Sequence, residues 1–242
     1  MSLYTYGTIL EEAQDALVQL SQIKPTGIFG TSDENGNLMG SFGNTIGPLL
    51  SVFPWQQFRD EFVVTGDGSA TAFDLPEDYS RMVDNTGWSY AQRRPVVVVT
   101  AATWSAVRAW LGQSFYVNPA ARLFDDQIHF LAPPVDGEEI KFEYVSRYWV
   151  LDEDGTTRKY RLENNGDSPM YDSQMFMLAL KLKWAGNKGL PTQEYQQDFD
   201  ERFEQMTQTS QMGGNLSLNG GASGWRYLDG ANLPNTGYGS VQ

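Results

Sequence analysis

The spacing of apolar residues near the start of the chain predicts a helix. Apolar side chains recur every three or four residues from Leu10 to Leu20, which places them on one helical face. Thr8 and Glu11 have the spacing of a capping box, in which each side chain satisfies a free backbone N–H of the first turn. Pro25 ends the pattern, so we expect the helix to stop before it.

The pattern is lost over residues 26–48, which are rich in Gly, Ser, Thr and Asn. Asn35-Gly36 is a turn signal, and the whole segment is predicted to be a long loop. A shorter helix is predicted from Pro54 to Glu61, with Trp55 and Phe58 on one side.

The middle of the chain is rich in short β-prone runs separated by turn-forming residues. Polar and apolar residues alternate from Ile140 to Ser146, as in a half-buried strand. The Asp136-Gly137 turn before it favours a hairpin with residues 128–131. A short helix is predicted over 103–111. The other predicted strands cover residues 62–64, 96–100, 115–117 and 148–151.

Helical signals return near the end. Ser168 can cap a helix and Pro169 can occupy its first position, ahead of a mostly apolar run from Met170 to Trp184. Thr192 is placed to cap a last helix. Its apolar stripe recurs every four residues and consists of Tyr195, Phe199 and Phe203, followed by Met206.

The order helices, strands, helices predicts an α+β fold, a helical bundle with a central antiparallel β-rich insertion. We divide the chain into N-terminal helices (1–61), a β-rich module (62–166), C-terminal helices (167–212) and an extended arm (213–242).

The composition of the chain excludes several kinds of catalytic and metal-binding site. The chain has no cysteine and one histidine, His129, which excludes thiolate sites, histidine triads and multi-histidine zinc sites. Nucleotide-binding glycine motifs are absent. The acidic clusters Asp125-Asp126, Glu138-Glu139 and 152–154 are interpreted as solvated turns, and His129 as a structural side chain within a strand. We therefore expect no enzyme activity, no metal and no cofactor.

The formal net charge of −13 argues against binding nucleic acid by counterion release. An acidic surface keeps a protein soluble, and it also lets DNA slide past without adhering. The sequence contains no secretion signal at its start and no apolar run of the roughly 18 residues that a membrane span needs. We expect synthesis in a host cytoplasm and no contact with membranes.

Residues 210–242 differ in composition from the rest. They hold eight glycines and only two charged residues, Arg226 and Asp229. Ordering each residue costs about 1–2 kcal/mol of backbone entropy, which a few large side chains cannot repay. We expect the segment to be disordered on an isolated subunit. Trp, Arg and Tyr are typical of binding hot spots, so the arm is predicted to become ordered on a partner through Trp225, Arg226, Tyr227, Leu228 and Tyr238.

Arg158, Lys159 and Arg161 form a short basic group. In a chain this acidic, a basic group is better matched to the surface of a neighbouring copy than to DNA. These three residues are candidates for a subunit interface.

An ordered series of motifs across residues 55–212 resembles the head-to-tail adaptor proteins of tailed phages, especially short-tailed ones. The first piece is Phe73–Arg81, which is similar to the Leu-Pro-x-Asp-Tyr-x-Arg signature of that family. The later pieces are Trp88, Arg94-Pro95-Val96, Thr103-Trp104, residues 128–134, residues 142–146 with Trp149, Leu180 to Trp184, and the last helix with Tyr195.

The resemblance implies a structural virion protein at the head-tail junction. Twelve copies are expected to form a ring beneath the portal, with the C-terminal extension gripping the portal protein. A tail nozzle or tube would bind the lower side, and DNA would pass through the ring without specific binding during genome ejection.

Two alternatives come from other functional classes. A virion-associated peptidoglycan hydrolase would need paired carboxylates, for which Glu61, Glu77 and Glu143 are candidates, although nothing in the sequence pairs them. A glycan-binding tail module would use exposed aromatic side chains, for which Trp88, Trp104 and Trp110 are candidates, although each is better explained by core packing.

Overall fold

The structure, a computed structural model, describes residues 6–110 and 119–211. Helices and strands of this part of the chain follow the predicted order, and the α+β class is confirmed. The α-helices are α1 (Ile9–Gln19), α2 (Glu34–Leu50), α3 (Ala101–Trp110), α4 (Ser173–Asn187) and α5 (Gln193–Gln211). The strands are β1 (Arg59–Thr65), β2 (Ala72–Asp74), β3 (Tyr79–Met82), β4 (Trp88–Ser89), β5 (Arg94–Pro95), β6 (Val97–Val98), β7 (Ala120–Phe124), β8 (Gln127–Phe130), β9 (Glu139–Ser146), β10 (Val150–Leu151), β11 (Arg158–Lys159) and β12 (Ser168–Pro169).

The capping box of α1 is confirmed. Thr8 Oγ1 accepts the N–H of Glu11, and the Glu11 carboxylate accepts the N–H of Thr8 at 3.1 Å. Two backbone donors of the first turn are thereby satisfied, which fixes where the helix begins. The buried face of α1, with Ala13 and Leu17 at its centre, packs on α4 and α2.

The predicted loop over residues 26–48 is wrong, because most of it is helix α2. Asp33 caps this helix by accepting the N–H groups of Asn35 and Gly36. Glycine weakens a helix in water, but here it permits close packing. Four glycines at intervals of four, three and four residues lie where a Cβ atom would overlap or crowd a neighbour. Each glycine and the neighbour that its Cβ would meet are as follows: Gly36 and Gly27, Gly40 and Ile28, Gly43 and Leu162, and Gly47 and Trp149.

The predicted helix from Pro54 to Glu61 is also wrong. A single 3₁₀ turn, Gln56–Phe58, is followed at once by strand β1. β1 pairs with β9 along its whole length, from Arg59 opposite Val145 to Thr65 opposite Glu139. Pairing over seven residues outweighs any local helical preference of so short a segment.

Two larger sheets make up the β-rich part. The first has the order β1-β9-β4-β5, with β3 also paired to β9, and the second has the order β2-β8-β7-β6. Within the described residues, the ladders are antiparallel except for β6 with β7. The sheets share one apolar cluster, consisting of Val64, Val96, Ala121, Ile128, Phe130, Ile140 and Phe142. A small third sheet has the order β11-β10-β12, and its strand β12 directly precedes α4 in the sequence.

The predicted hairpin between residues 128–131 and 140–145 is wrong, because β8 and β9 belong to different sheets. β8 instead forms a hairpin with β7 through a two-residue turn, Asp125-Asp126, in which both residues have positive φ angles. The Asp136-Gly137 turn lies at the end of β1, where the Gly137 N–H donates to the Gly66 carbonyl. A turn signal thus predicts a reversal of the chain but does not identify the pairing partner.

Helix α4 begins later than predicted. Ser168 and Pro169 form β12, which pairs with β10, and Asp172 is the residue that caps the helix, by accepting the N–H of Met175. The prediction of Ser168 as cap and Pro169 as first helical residue is therefore wrong. As its mostly apolar sequence favours, this helix is largely buried, with residues on most of its sides inaccessible to solvent.

A second, larger apolar cluster lies among the helices. Its aromatic centre is Trp55, Phe58, Trp149, Tyr171 and Phe176, all almost completely buried. The rings of Tyr171 and Phe176 are stacked, and the Tyr171 hydroxyl donates to the Gly47 carbonyl at 2.6 Å. α3 confirms the helix predicted over 103–111 as far as residue 110, whereas the strand predicted over 115–117 lies outside the described residues.

Candidate docking surfaces

Helix α5 carries the chain towards the predicted arm and is fixed to the body of the subunit. Phe199 and Phe203, four residues apart, and Met206, which follows them, pack against the helical core as the helical spacing predicts. Arg202 forms a bidentate ion pair with Asp172, with N–O distances of 2.9 and 2.8 Å. Because Asp172 also caps α4, one carboxylate links the two helices.

The last described turn of α5 is tied to the 3₁₀ turn. Gln56 Nε2 donates to the Ser210 carbonyl at 2.7 Å, and Ser210 is buried although it stands at the end of the described chain. The end of α5 is thus held against the 3₁₀ turn at Ser210. The predicted arm residues themselves lie outside the described residues, namely Trp225, Arg226, Tyr227, Leu228 and Tyr238.

An apolar groove of about 970 Å³ opens between α2, α4 and α5. Ala179 and Leu182 of α4 form its floor, and Phe199 and Phe203 of α5 form one wall. The opposite wall is the end of α2 and the turn after it. Large apolar side chains are exposed there, with Leu49 68% and Val52 69% accessible. Exposed apolar surface of this kind is typical of protein–protein contacts and of ligand-binding grooves.

The three residues of the basic group that was predicted as a subunit interface have different surroundings in the structure. Lys159 forms ion pairs within the subunit, at 2.7 Å with Asp152 and 2.8 Å with Asp167. Arg158 reaches Asp60 at 3.5 Å, and its side chain is 38% exposed. Arg161 is exposed, and none of the ion pairs formed by the described residues includes it. Arg158 and Arg161 are therefore available to another subunit, and Lys159 is not.

The Leu75-Pro76-Glu77-Asp78-Tyr79 piece forms a turn that is joined to β9. Tyr79 N–H donates to the Pro76 carbonyl, and the Asp78 carbonyl accepts the N–H of Arg147 at 2.7 Å. The Tyr144 hydroxyl donates to Asp78 Oδ1 at 2.8 Å, and the Tyr79 and Tyr144 rings are stacked. Burial, followed by the hydrogen bond to Asp78, raises the pKa of Tyr144, so the hydroxyl stays protonated. These contacts give the piece a structural role, because they join it to β9 and to Arg147.

The three carboxylates considered for glycan hydrolysis are exposed. Glu61 and Glu143 are directly opposite each other on β1 and β9, a pairing that the sequence did not indicate. Lys141 Nζ lies 2.9 Å from Glu61, so one of the two negative charges is balanced by an ion pair on the sheet surface. Glu77 belongs to the turn before β3, in another part of the sheet.

The interpretation of the acidic clusters as solvated turns holds for part of them, since Glu139 begins strand β9 and Asp152 pairs with Lys159. Asp125 and Asp126 form the β7–β8 turn, and Asp154 accepts hydrogen bonds from Thr156 and Thr157 at the surface. The interpretation is wrong for Glu138, which is buried and accepts hydrogen bonds from the Ser89 hydroxyl and the Val135 N–H. No group of three or more metal-ligating side chains occurs among residues 6–110 and 119–211.

The three aromatic candidates for sugar binding differ in how far they are buried. Trp104 is buried, Trp88 is half-buried, and the side chain of Trp110 lies outside what the structure describes. His129 lies within β8 opposite Ala72, with its ring 6.0 Å from that of Phe124, in keeping with a structural role. Within the described part of the chain, no helix is both long and apolar enough to cross a membrane.

A comparison with protein-family models identifies one match. The model described as SU10 adaptor protein matches residues 49–219, well over half of the chain. The chain belongs to this family. The match begins at the end of α2 and includes every strand, α3, α4 and α5. No curated protein matches the chain.

Membership in the SU10 adaptor family makes this chain a structural adaptor protein of a phage particle, consistent with its resemblance to head-to-tail adaptors. The family implies a place in the virion and partners among portal and tail proteins. It favours a structural over an enzymatic role.

The groove was not predicted from the sequence. One of its walls is the end of α2, which the glycine-rich composition concealed. The available signal was the spacing of Gly36, Gly40, Gly43 and Gly47, which lie on one face of a helix.

Proposed function

We propose that the protein forms a closed ring between the portal and the tail of the phage particle. Twelve copies surround a channel, residues 213–242 bind the portal protein, and a tail nozzle or tube binds the opposite side. The observation that carries the proposal is the family match over residues 49–219. A ring at this position joins head and tail and keeps a passage open for the genome.

The charge of the subunit suits a passage for DNA. Twelve subunits that each carry −13 repel a polyanion, so DNA passes without specific binding. The same charge disfavours contact between copies, which makes basic side chains valuable at the subunit boundary. Arg158 and Arg161 are exposed for that purpose.

The arm is proposed as the portal contact because it contains the Trp, Arg and Tyr residues that are typical of binding hot spots. Gln56 holds Ser210, so the end of α5 has the same place in each copy of a symmetric ring. Extended at about 3.3 Å per residue, thirty residues span on the order of 100 Å, enough to reach a neighbouring protein. Trp225, Arg226, Tyr227, Leu228 and Tyr238 would supply the binding energy on arrival.

The test is reconstitution with the portal protein of the same phage. Purified chain is mixed with assembled portal, and the product is examined by native mass spectrometry and electron microscopy. We expect a ring of twelve copies on one face of the portal. A chain that stays monomeric at saturating portal concentration contradicts the proposal.

A further inference from the structure

We propose that the groove between α2, α4 and α5 is the contact for a second copy of this chain, which inserts the apolar end of its α1. The inserted residues are Val18 and Ile23, and the inference rests on the ring that is proposed as the function. It identifies the two surfaces that meet at each subunit boundary.

The groove is a concave surface with no apolar cover among the described residues. Leu49 and Val52 project from its rim, and Phe199 and Phe203 line its far wall. α2 and α5 both pack on α4, which leaves the space between them open. An adaptor subunit that functions only in an assembly gains stability when a partner covers such a surface.

The end of α1 contacts a different face of α4, where Gln19 hydrogen-bonds to Met177 and Lys181. α1 packs on α4 and α2 and contributes no residue to the groove. Val18 on its outer face is 54% exposed, and Ile23, just beyond its end, is 84% exposed. Ile23 is the most exposed large apolar side chain among the described residues.

The geometry of a ring requires two different surfaces of this kind. Each subunit of a cyclic assembly larger than a dimer contacts its neighbours through a front surface and a distinct back surface. Two copies that faced each other through their grooves would leave both grooves unfilled. A projection on one face and a groove on another meet the requirement, because each copy fills one neighbour and is filled by the next.

Charge favours the same pairing. Lys24 follows Ile23, is exposed, and takes part in none of the ion pairs that the described residues form. α5, whose Phe199 and Phe203 line the groove, carries five carboxylates and one cation, Arg202, while the groove lining itself contains Lys183 of α4. When Ile23 enters the groove, Lys24 arrives beside this acidic helix, where opposite charges attract.

The absence of cysteine permits a direct test. One copy carries Ile23→Cys and another carries Val52→Cys, and the two are mixed, assembled on the portal and treated with a short bismaleimide. We expect a covalent dimer from the mixture and none from either variant alone. Val135→Cys, at a similarly exposed site in the β-rich part, is the matched control for Val52→Cys and should give no dimer with Ile23→Cys.

The arm is the competing occupant of the groove. Efficient linkage of Trp225→Cys to Val52→Cys, with none between positions 23 and 52, would overturn the inference and assign the groove to the arm. A ring of normal mass without the 23–52 linkage also rejects the inference but leaves the proposed function standing. If the unmodified chain forms no ring on the portal, both fail.

Charge placed in the groove provides a second measurement. Leu49→Asp and Val52→Asp alter exposed side chains, so the subunit should fold normally by circular dichroism. A buried carboxylate at every subunit boundary should lower the yield of rings by about tenfold or more. Val135→Asp should leave the yield unchanged. A normal yield with the groove variants contradicts the inference.

Discussion

Gly47 of α2 lies flat against the indole ring of Trp149, so that a methyl group at position 47 would overlap the ring. This contact lets α2 approach the aromatic centre of the helical core, and it places Leu49 and Leu50 at the wall of the groove. The Tyr171 hydroxyl donates to the Gly47 carbonyl on the same side, which fixes the backbone there.

Gly47→Ala is therefore expected to destabilise the fold. Alanine favours helices over glycine by about 1 kcal/mol, but overpacking a core against a rigid ring costs about 1–3 kcal/mol or more. The free energy of unfolding, measured by urea denaturation, should fall. Gly186→Ala in α4 is the matched control, because its nearest neighbour would be 3.9 Å away, and it should be neutral or slightly stabilising. Equal effects of the two variants would contradict the packing argument.

Glu12 of α1 should make the stability depend on pH. It is only 3% exposed, and burial is the main cause that raises its pKa well above 4.5. The hydroxyl of Ser173 opposes the rise, whereas the charges of Asp172, Glu11 and Asp15 add to it. Below about pH 4.5 both the folded and unfolded states hold this proton. At higher pH the unfolded state releases it first, so the contribution of Glu12 to stability decreases.

Glu12→Gln removes this ionisation and tests the pH dependence. Relative to the unmodified chain, the variant should gain stability as pH rises from 4.5 to 8, by up to about 1.4 kcal/mol per pH unit while only the unfolded state is ionised. Urea denaturation across this range measures the difference. Asp15→Asn, at an exposed neighbouring site on the same helix, should show little of it. A pH-independent difference for Glu12→Gln would mean that the buried carboxyl does not hold its proton.

Substitutions in the basic group, Arg158, Lys159 and Arg161, should distinguish effects on ring assembly from effects on folding stability. Arg158→Glu and Arg161→Glu together are expected to weaken ring formation on the portal and leave the thermal unfolding temperature nearly unchanged, because surface ion pairs contribute about 0–1 kcal/mol. Lys159→Glu should instead lower the unfolding temperature, since it leaves the inaccessible Asp167 facing another negative charge. Normal rings from the arginine variant would remove these residues from the interface.

The sequence predicted the elements that have local causes. The capping box of α1, the alternation of β9 and the four-residue stripe of α5 all depend on neighbours along the chain. What it did not predict depends on distant partners. The glycines of α2 form a helix because Trp149 and Leu162 pack on them, and the pairing of Asp172 with Arg202 joins α4 to α5.

The candidate interface residues also differ according to whether their surroundings are set by chain neighbours or by distant partners. Arg158 and Arg161 remain candidates because both are exposed, whereas Lys159 has carboxylates on two sides that only the fold brings near. Glu138 was misread for the same reason, since Ser89 reaches it from β4. The groove requires three helices at once, and no local pattern contains it.

The central claim is that residues 213–242 attach the subunit to the portal. The most direct measurement is the affinity of the chain for assembled portal, compared with that of a chain ending at residue 212 and of a full chain carrying Trp225→Ala, Tyr227→Ala and Leu228→Ala. We predict that the deletion abolishes binding and that the triple variant weakens it by at least about a hundredfold, with circular dichroism unchanged. Portal binding that survives the deletion at full strength would contradict the account.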